Sequence, residues 1–208
     1  MPLHFIADIP LYLFIGLAAS ILGALPFGLV NLSILQSAVK KGTRSTFPIA
    51  HGASLVEVMY GVVGVFAGKF ITQYINKNFW FHLISALILL IIGGAFFIRK
   101  ARFNFSSNNT FGGFSYGILL NLLSLQVLAY WVIASSLLST AGYLPLAPIT
   151  IAGFLAGIWI GKMGILYGYA YFGEEIMGRS EKISKNINRL VGLVLMAVAG
   201  VVLAKGFI

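Results

Sequence analysis

The chain has 208 residues, of which 59% are hydrophobic and only 9% charged, where an ordinary soluble domain carries about 25% charged residues. It carries a formal charge of +9 and no cysteine, which excludes disulfides, thiolate metal centres and dithiol redox chemistry. Six apolar stretches of about 20 residues or more cover nearly all of it, each long enough for a helix to cross a hydrocarbon layer about 30 Å thick, so the expectation is an all-α integral membrane protein.

The first expected span, 9–38, contains "GALPFGLVNLSILQ" at 23–36. In a soluble helix Pro26 would remove a backbone donor and crowd the preceding turn, at a cost of about 3 kcal/mol. In lipid such a break is tolerated where protein or a polar cavity satisfies the freed backbone groups. Pro26 lies between Gly23 and Gly28, with Asn31 about one and a half turns on. A broken helix there exposes N–H groups and a positive dipole end, both suited to a carboxylate. A kink that only shapes packing is the alternative. No Lys or Arg precedes this span to form the positive region of a cleaved signal, so the first helix is expected to stay.

The second span, 45–70, carries Glu57 about ten residues in. At 100° per residue Glu57 shares a face with Ala50, Ala53, Ser54, Gly61, Gly64 and Gly68, and small residues mark the face that packs against other helices. A charge at that depth costs at least ~2.5–3.5 kcal/mol on insertion scales, so Glu57 is a functional candidate, with a protonated, purely structural hydrogen-bonder as the alternative. His51 lies about 120° from that face and reads as a proton relay or a packing residue. The three histidines are scattered and make no metal site.

Spans three and four are expected at 79–98 and 111–138. The fourth holds "YGILLNLLSLQ" at 116–126, which echoes "FGLV-NLSILQ" at 27–36 with one residue inserted. This pairs Asn121 with Asn31 and brings in Gln126. Chance in an apolar sequence is one explanation. The other is a 3+3 inverted repeat, with half-repeats at about 9–98 and 111–206 of a single transmembrane domain, a common plan for secondary transporters whose site lies where helices break. The fifth span, 147–172, has Gly153, Gly157 and Gly161 as a packing stripe extended by Gly164 and Gly168, and Lys162 on the opposite side with Trp159 and Tyr169. A Glu57–Lys162 pair is the cheapest way to hold both charges in lipid; snorkelling of Lys162 is the competing reading. The sixth span is expected at 187–206.

Ten of the 14 Lys and Arg fall in the loops after spans one, three and five; Lys69, Lys77 and Lys205 lie on the other side. The positive-inside rule puts the ten in the cytoplasm and both termini outside. The charge therefore reads as topology rather than nucleic-acid binding.

The first-helix pattern, with "KKGTRSTFPIAHGASLVEVMYG" after it, resembles the LysE-type family of lysine exporters and homoserine/threonine efflux proteins. The family's Pro-Gly-Pro turn corresponds to "PFG", keeping Pro26 and Gly28. Its Asn-Leu-Leu-Asn-Pro-Lys-like stretch corresponds to "NLLSLQ", keeping Asn121 and placing Ser124, Leu125 and Gln126 where Asn, Pro and Lys stand. The resemblance implies proton-linked export of amino acids or related small polar metabolites across the plasma (inner) membrane by a multi-pass protein. Taken with the broken helix and the charges inside the membrane, this makes substrate binding the expected role of Pro26, Gly28, Asn31, Asn121 and Gln126 and coupling that of Glu57 and Lys162, with no cofactor expected. Expected partners are the bilayer, the solute and protons; a homo-oligomer is allowed and not required. Two other classes stay open. A non-transporting membrane scaffold would not need Glu57 and Lys162 at matching depth. "EEIMGR" at 174–179 fits a Glu-Glu-x-x-x-Arg signature of CAAX-type membrane proteases, but every histidine precedes it.

Overall fold

The computed structural model describes residues 8–26, 28–75, 79–98 and 113–173, with isolated positions between 186 and 204. The described residues contain no strand, as expected for an all-α membrane protein. In chain order the helices are α1 (Ile9–Ala24), α2 (Leu29–Lys41), α3 (Phe47–Ile75), α4 (Phe79–Ile98), α5 (Phe114–Leu122), α6 (Leu125–Thr140) and α7 (Pro148–Tyr171), with a 3-10 turn at Thr43–Thr46. Pro10 and Pro148 sit in the first turns of α1 and α7, where a missing N–H costs nothing. Gly42, at φ +81°, ends α2 in a conformation that a side chain would resist.

Thr43–Phe70 and Pro148–Tyr171 are unbroken and long and apolar enough to cross a membrane. The first expected span is a pair of helices, α1 and α2, bent by 78°; the fourth is likewise a pair, α5 and α6, bent by 67°. Counting each pair as one gives up to four candidate spans among the described residues. The third expected span coincides with α4. Most of the sixth, and the basic loops at 99–102 and 179–185, lie outside the described residues.

The break in the first pair falls before Asn31; that in the second falls after Asn121, at residues 123 and 124. The two asparagines matched by the sequence echo therefore flank their breaks from opposite sides. Similar residues are serving different backbone positions.

Glycine sets how the helices pack. A Cβ at Gly157 would collide with the Leu13 carbonyl of α1, and one at Gly16 with the Phe154 carbonyl of α7. Gly161 follows against Leu17 at 2.7 Å. The register 9–153, 13–157 and 17–161 means that α1 and α7 run parallel. A second seam is built the same way. A Cβ on Gly52 would meet the Phe114 carbonyl and one on Gly117 that of Ile49, while a Cβ on Gly64 or Gly68 would stand 2.7 Å from the carbonyl of Trp131 or Ser135. So α3 runs parallel to α5 and α6. Between the seams, Gly61 meets Ile158 and α3 is antiparallel to α7.

Candidate functional site

Glu57, on the small-residue face of α3, has no exposed surface. Its carboxylate is held by three donors from three other helices. Lys162 Nζ of α7 stands 3.0 Å from Oε2, Trp131 Nε1 of α6 donates to Oε1 at 3.1 Å, and Asn121 Nδ2 of α5 donates to Oε2 at 3.3 Å. Asn121 also donates to the Ala53 carbonyl at 2.6 Å, which fixes the orientation of its amide. Lys162 is only 3% exposed, so the ammonium is inside the bundle and not snorkelling. Its one charged partner among the described residues is Glu57. Burying two charges costs several kcal/mol each, and attraction repays this only when geometry and further hydrogen bonds are good. Trp131 and Asn121 supply those bonds for the carboxylate.

The remaining expected residues gather at the break between α1 and α2. Asn31 Nδ2 donates back to the carbonyls of Ala24 and Pro26, at 2.6 and 2.8 Å. Tyr169 of α7 donates its hydroxyl to the Leu25 carbonyl at 2.7 Å. These are carbonyls that the break deprives of helical partners. Pro26 thus marks a real break, and its acceptors are met by protein. Gly28 begins α2 with no side-chain cap, and the Gln126 amide Nε2 lies 3.2 Å from where a Cβ on Gly28 would stand. Gln126 opens α6, so the starts of two half-helices meet here.

The second break follows the same logic. Tyr60 of α3 donates to the Leu122 carbonyl at 3.0 Å, and Ser124 Oγ returns to the Leu120 carbonyl at 2.8 Å. In each broken pair, a tyrosine from the neighbouring straight helix closes the end of the first half. Tyr169→Phe is expected to lower the stability of the purified protein by about 1–2 kcal/mol, the cost of an orphaned buried carbonyl. Thermal unfolding in detergent measures it; an unchanged midpoint would mean that the carbonyl has another partner.

The structure thus brings Glu57, Lys162 and Asn121 together and gathers Pro26, Gly28, Asn31 and Gln126 at the break between α1 and α2. Sequence reasoning missed Trp131, Tyr60 and Tyr130, whose hydroxyl donates to the Ala19 carbonyl at 2.6 Å. Their signal was available: a polar aromatic in an apolar run needs a partner for its N–H or O–H. His51 packs between Phe47 and Trp159, ring centroids 4.4 and 5.5 Å away, and its buried Nε2 has no partner among the described residues. A cavity of about 370 Å³ opens where α2 and α7 end, beside Ala38, Thr43, Ala170 and Phe172. None of the seven expected residues lines it. No family model, curated protein or solved structure matches the chain.

Proposed function

We propose that this protein is a secondary transporter that exports amino acids or related small polar metabolites, coupled to protons, across the plasma (inner) membrane. The observation that carries the reading is a fully buried Glu57–Lys162 pair set between two broken spans. Ionisable groups inside a membrane are costly and mark ion and substrate paths. Discontinuous helices at mid-depth are where transporters hold their solutes. Glu57 stands ten residues into α3 and Lys162 nine residues from the end of α7, each about 14–15 Å along its helix from the end bearing the basic loops. In the cycle, the solute's carboxylate turns Lys162 away from Glu57. The solute's carboxylate then replaces Glu57 as the counter-ion of Lys162, and Glu57 is the group free to exchange a proton.

Six alternating spans in two inverted halves fit the helix directions. Since α3 runs parallel to α5 and α6, a crossing between them must return the chain, and α4 has the 20 residues required. Both termini then lie outside. A reporter fused after Ile208 should be active only on the outer side; a cytoplasmic reporter overturns this topology.

The completeness of Glu57's bonding favours one second reading, a static clamp in a membrane scaffold. Flux from loaded proteoliposomes across a panel of amino acids, with and without an imposed pH gradient, separates the two. Export accelerated by the gradient supports transport; no flux for any solute supports the scaffold.

A further inference from the structure

Two kinds of contact hold the described helices together, and they divide the bundle. Backbone meets glycine along α1 with α7, and again along α3 with α5 and α6. No carbonyl can swing aside as a side chain can, so these seams hold their helices in one arrangement. The tyrosine bonds at both breaks, Tyr169 to Leu25 and Tyr60 to Leu122, lie inside the same two groups. Across the boundary, glycines meet the ends of side chains instead: Gly61 the Ile158 methyl, Gly23 the Tyr130 ring, and Gly28 the Gln126 amide. The hydrogen bonds that cross it, Tyr130 to the Ala19 carbonyl and Ser33 with Tyr116, are also made by side-chain hydroxyls. Side-chain ends can change rotamer and let two surfaces slide. The Glu57–Lys162 pair crosses this boundary as well, and among the described residues it is the one ion pair that does.

We propose that the chain moves as two rigid bodies, α1–α2–α7 against α3–α5–α6, and that their separation makes Lys162 a binding site for the carboxylate of a small solute. This rests on the transport reading. The asymmetry of the pair decides which charge needs a new partner. Trp131 and Asn121 belong to the same body as Glu57 and travel with it, so the carboxylate keeps two donors. Lys162 keeps no partner among the described residues once Glu57 leaves. An unpaired ammonium inside a membrane is the costlier outcome, and an arriving carboxylate removes that cost. Solutes lacking an anionic group do not.

The absence of cysteine allows paired spin labels to be placed at will. Leu11→Cys with Tyr171→Cys lies within the first body, Ser115→Cys with Lys69→Cys within the second, and Tyr171→Cys with Ser115→Cys across the boundary; all four sites are exposed. Distance measurements by pulsed electron resonance in nanodiscs should give within-body distances that stay single and unchanged. The cross-boundary distance should shift or broaden in Glu57→Gln, and again in the unaltered background when acetate is added, but not with methylammonium at equal ionic strength. Within-body distances that move with the cross-boundary one, a cross-boundary distance that never changes, or equal effects of acetate and methylammonium would each overturn the proposal. Because no step needs flux, failure of the transport reading would show separately, as silent proteoliposomes with these distances still responding.

Discussion

Glu57→Leu is expected to cost about 3–5 kcal/mol of stability, because it leaves Lys162 as a buried charge with no counter-ion. It also takes the acceptor from Trp131 and one of two acceptors from Asn121. Lys162→Met should cost less, since the Glu57 carboxylate retains both of its uncharged donors. Joining the two should recover much of the loss: replacing a buried ion pair with apolar residues of similar volume is often neutral or stabilising, whereas breaking it is not. A double-mutant cycle read by thermal unfolding isolates the coupling between the two side chains. If Lys162→Met proves the more damaging single change, the assignment of Lys162 as the dependent partner is wrong.

Valine at Gly157 or Gly52 should be comparably severe. Each Cβ would meet a backbone carbonyl of the facing helix, Leu13 in one case and Phe114 in the other. The helices would have to part, at a cost of about 3 kcal/mol, the upper end for overpacking. Gly164 is the control, for nothing lies within 4 Å of its would-be Cβ. Gly164→Ala should leave the unfolding midpoint unchanged or raise it. Equal loss at all three positions would show that the close seam does not set the effect.

Gly164 also shows what a sequence can and cannot carry. Spacing extended the small-residue stripe through Gly164 and Gly168, yet Gly153, Gly157 and Gly161 are the glycines that meet α1. The stripe depends on which residues a partner helix reaches, and the spacing of small residues does not record that. Glu57 was legible for the opposite reason: its face is small over several turns, and Gly61, Gly64 and Gly68 all find neighbours. Pro26 announced the first break through its own covalent geometry. The second break carries no Pro or Gly between Asn121 and Gln126, so the apolar run reads straight through it. There Ser124 bonds back to the Leu120 carbonyl, local competition with helix that hydropathy does not record. Trp131 was hidden because its partner lies 74 residues away in the chain.

Glu57→Gln separates a carboxylate that carries protons from one that only holds helices together. The amide keeps the size of the side chain and an oxygen for Trp131 but neither neutralises Lys162 nor exchanges a proton, so folding and insertion are checked by thermal unfolding before flux is compared. Solute flux should be measured from proteoliposomes at a series of imposed pH gradients, for the unaltered protein and for Glu57→Gln. Export should rise with the gradient in the first and be abolished, or no longer respond to the gradient, in the second. Transport by Glu57→Gln with an unchanged pH profile would contradict it, and Glu57 would then be a hydrogen-bonding post between helices.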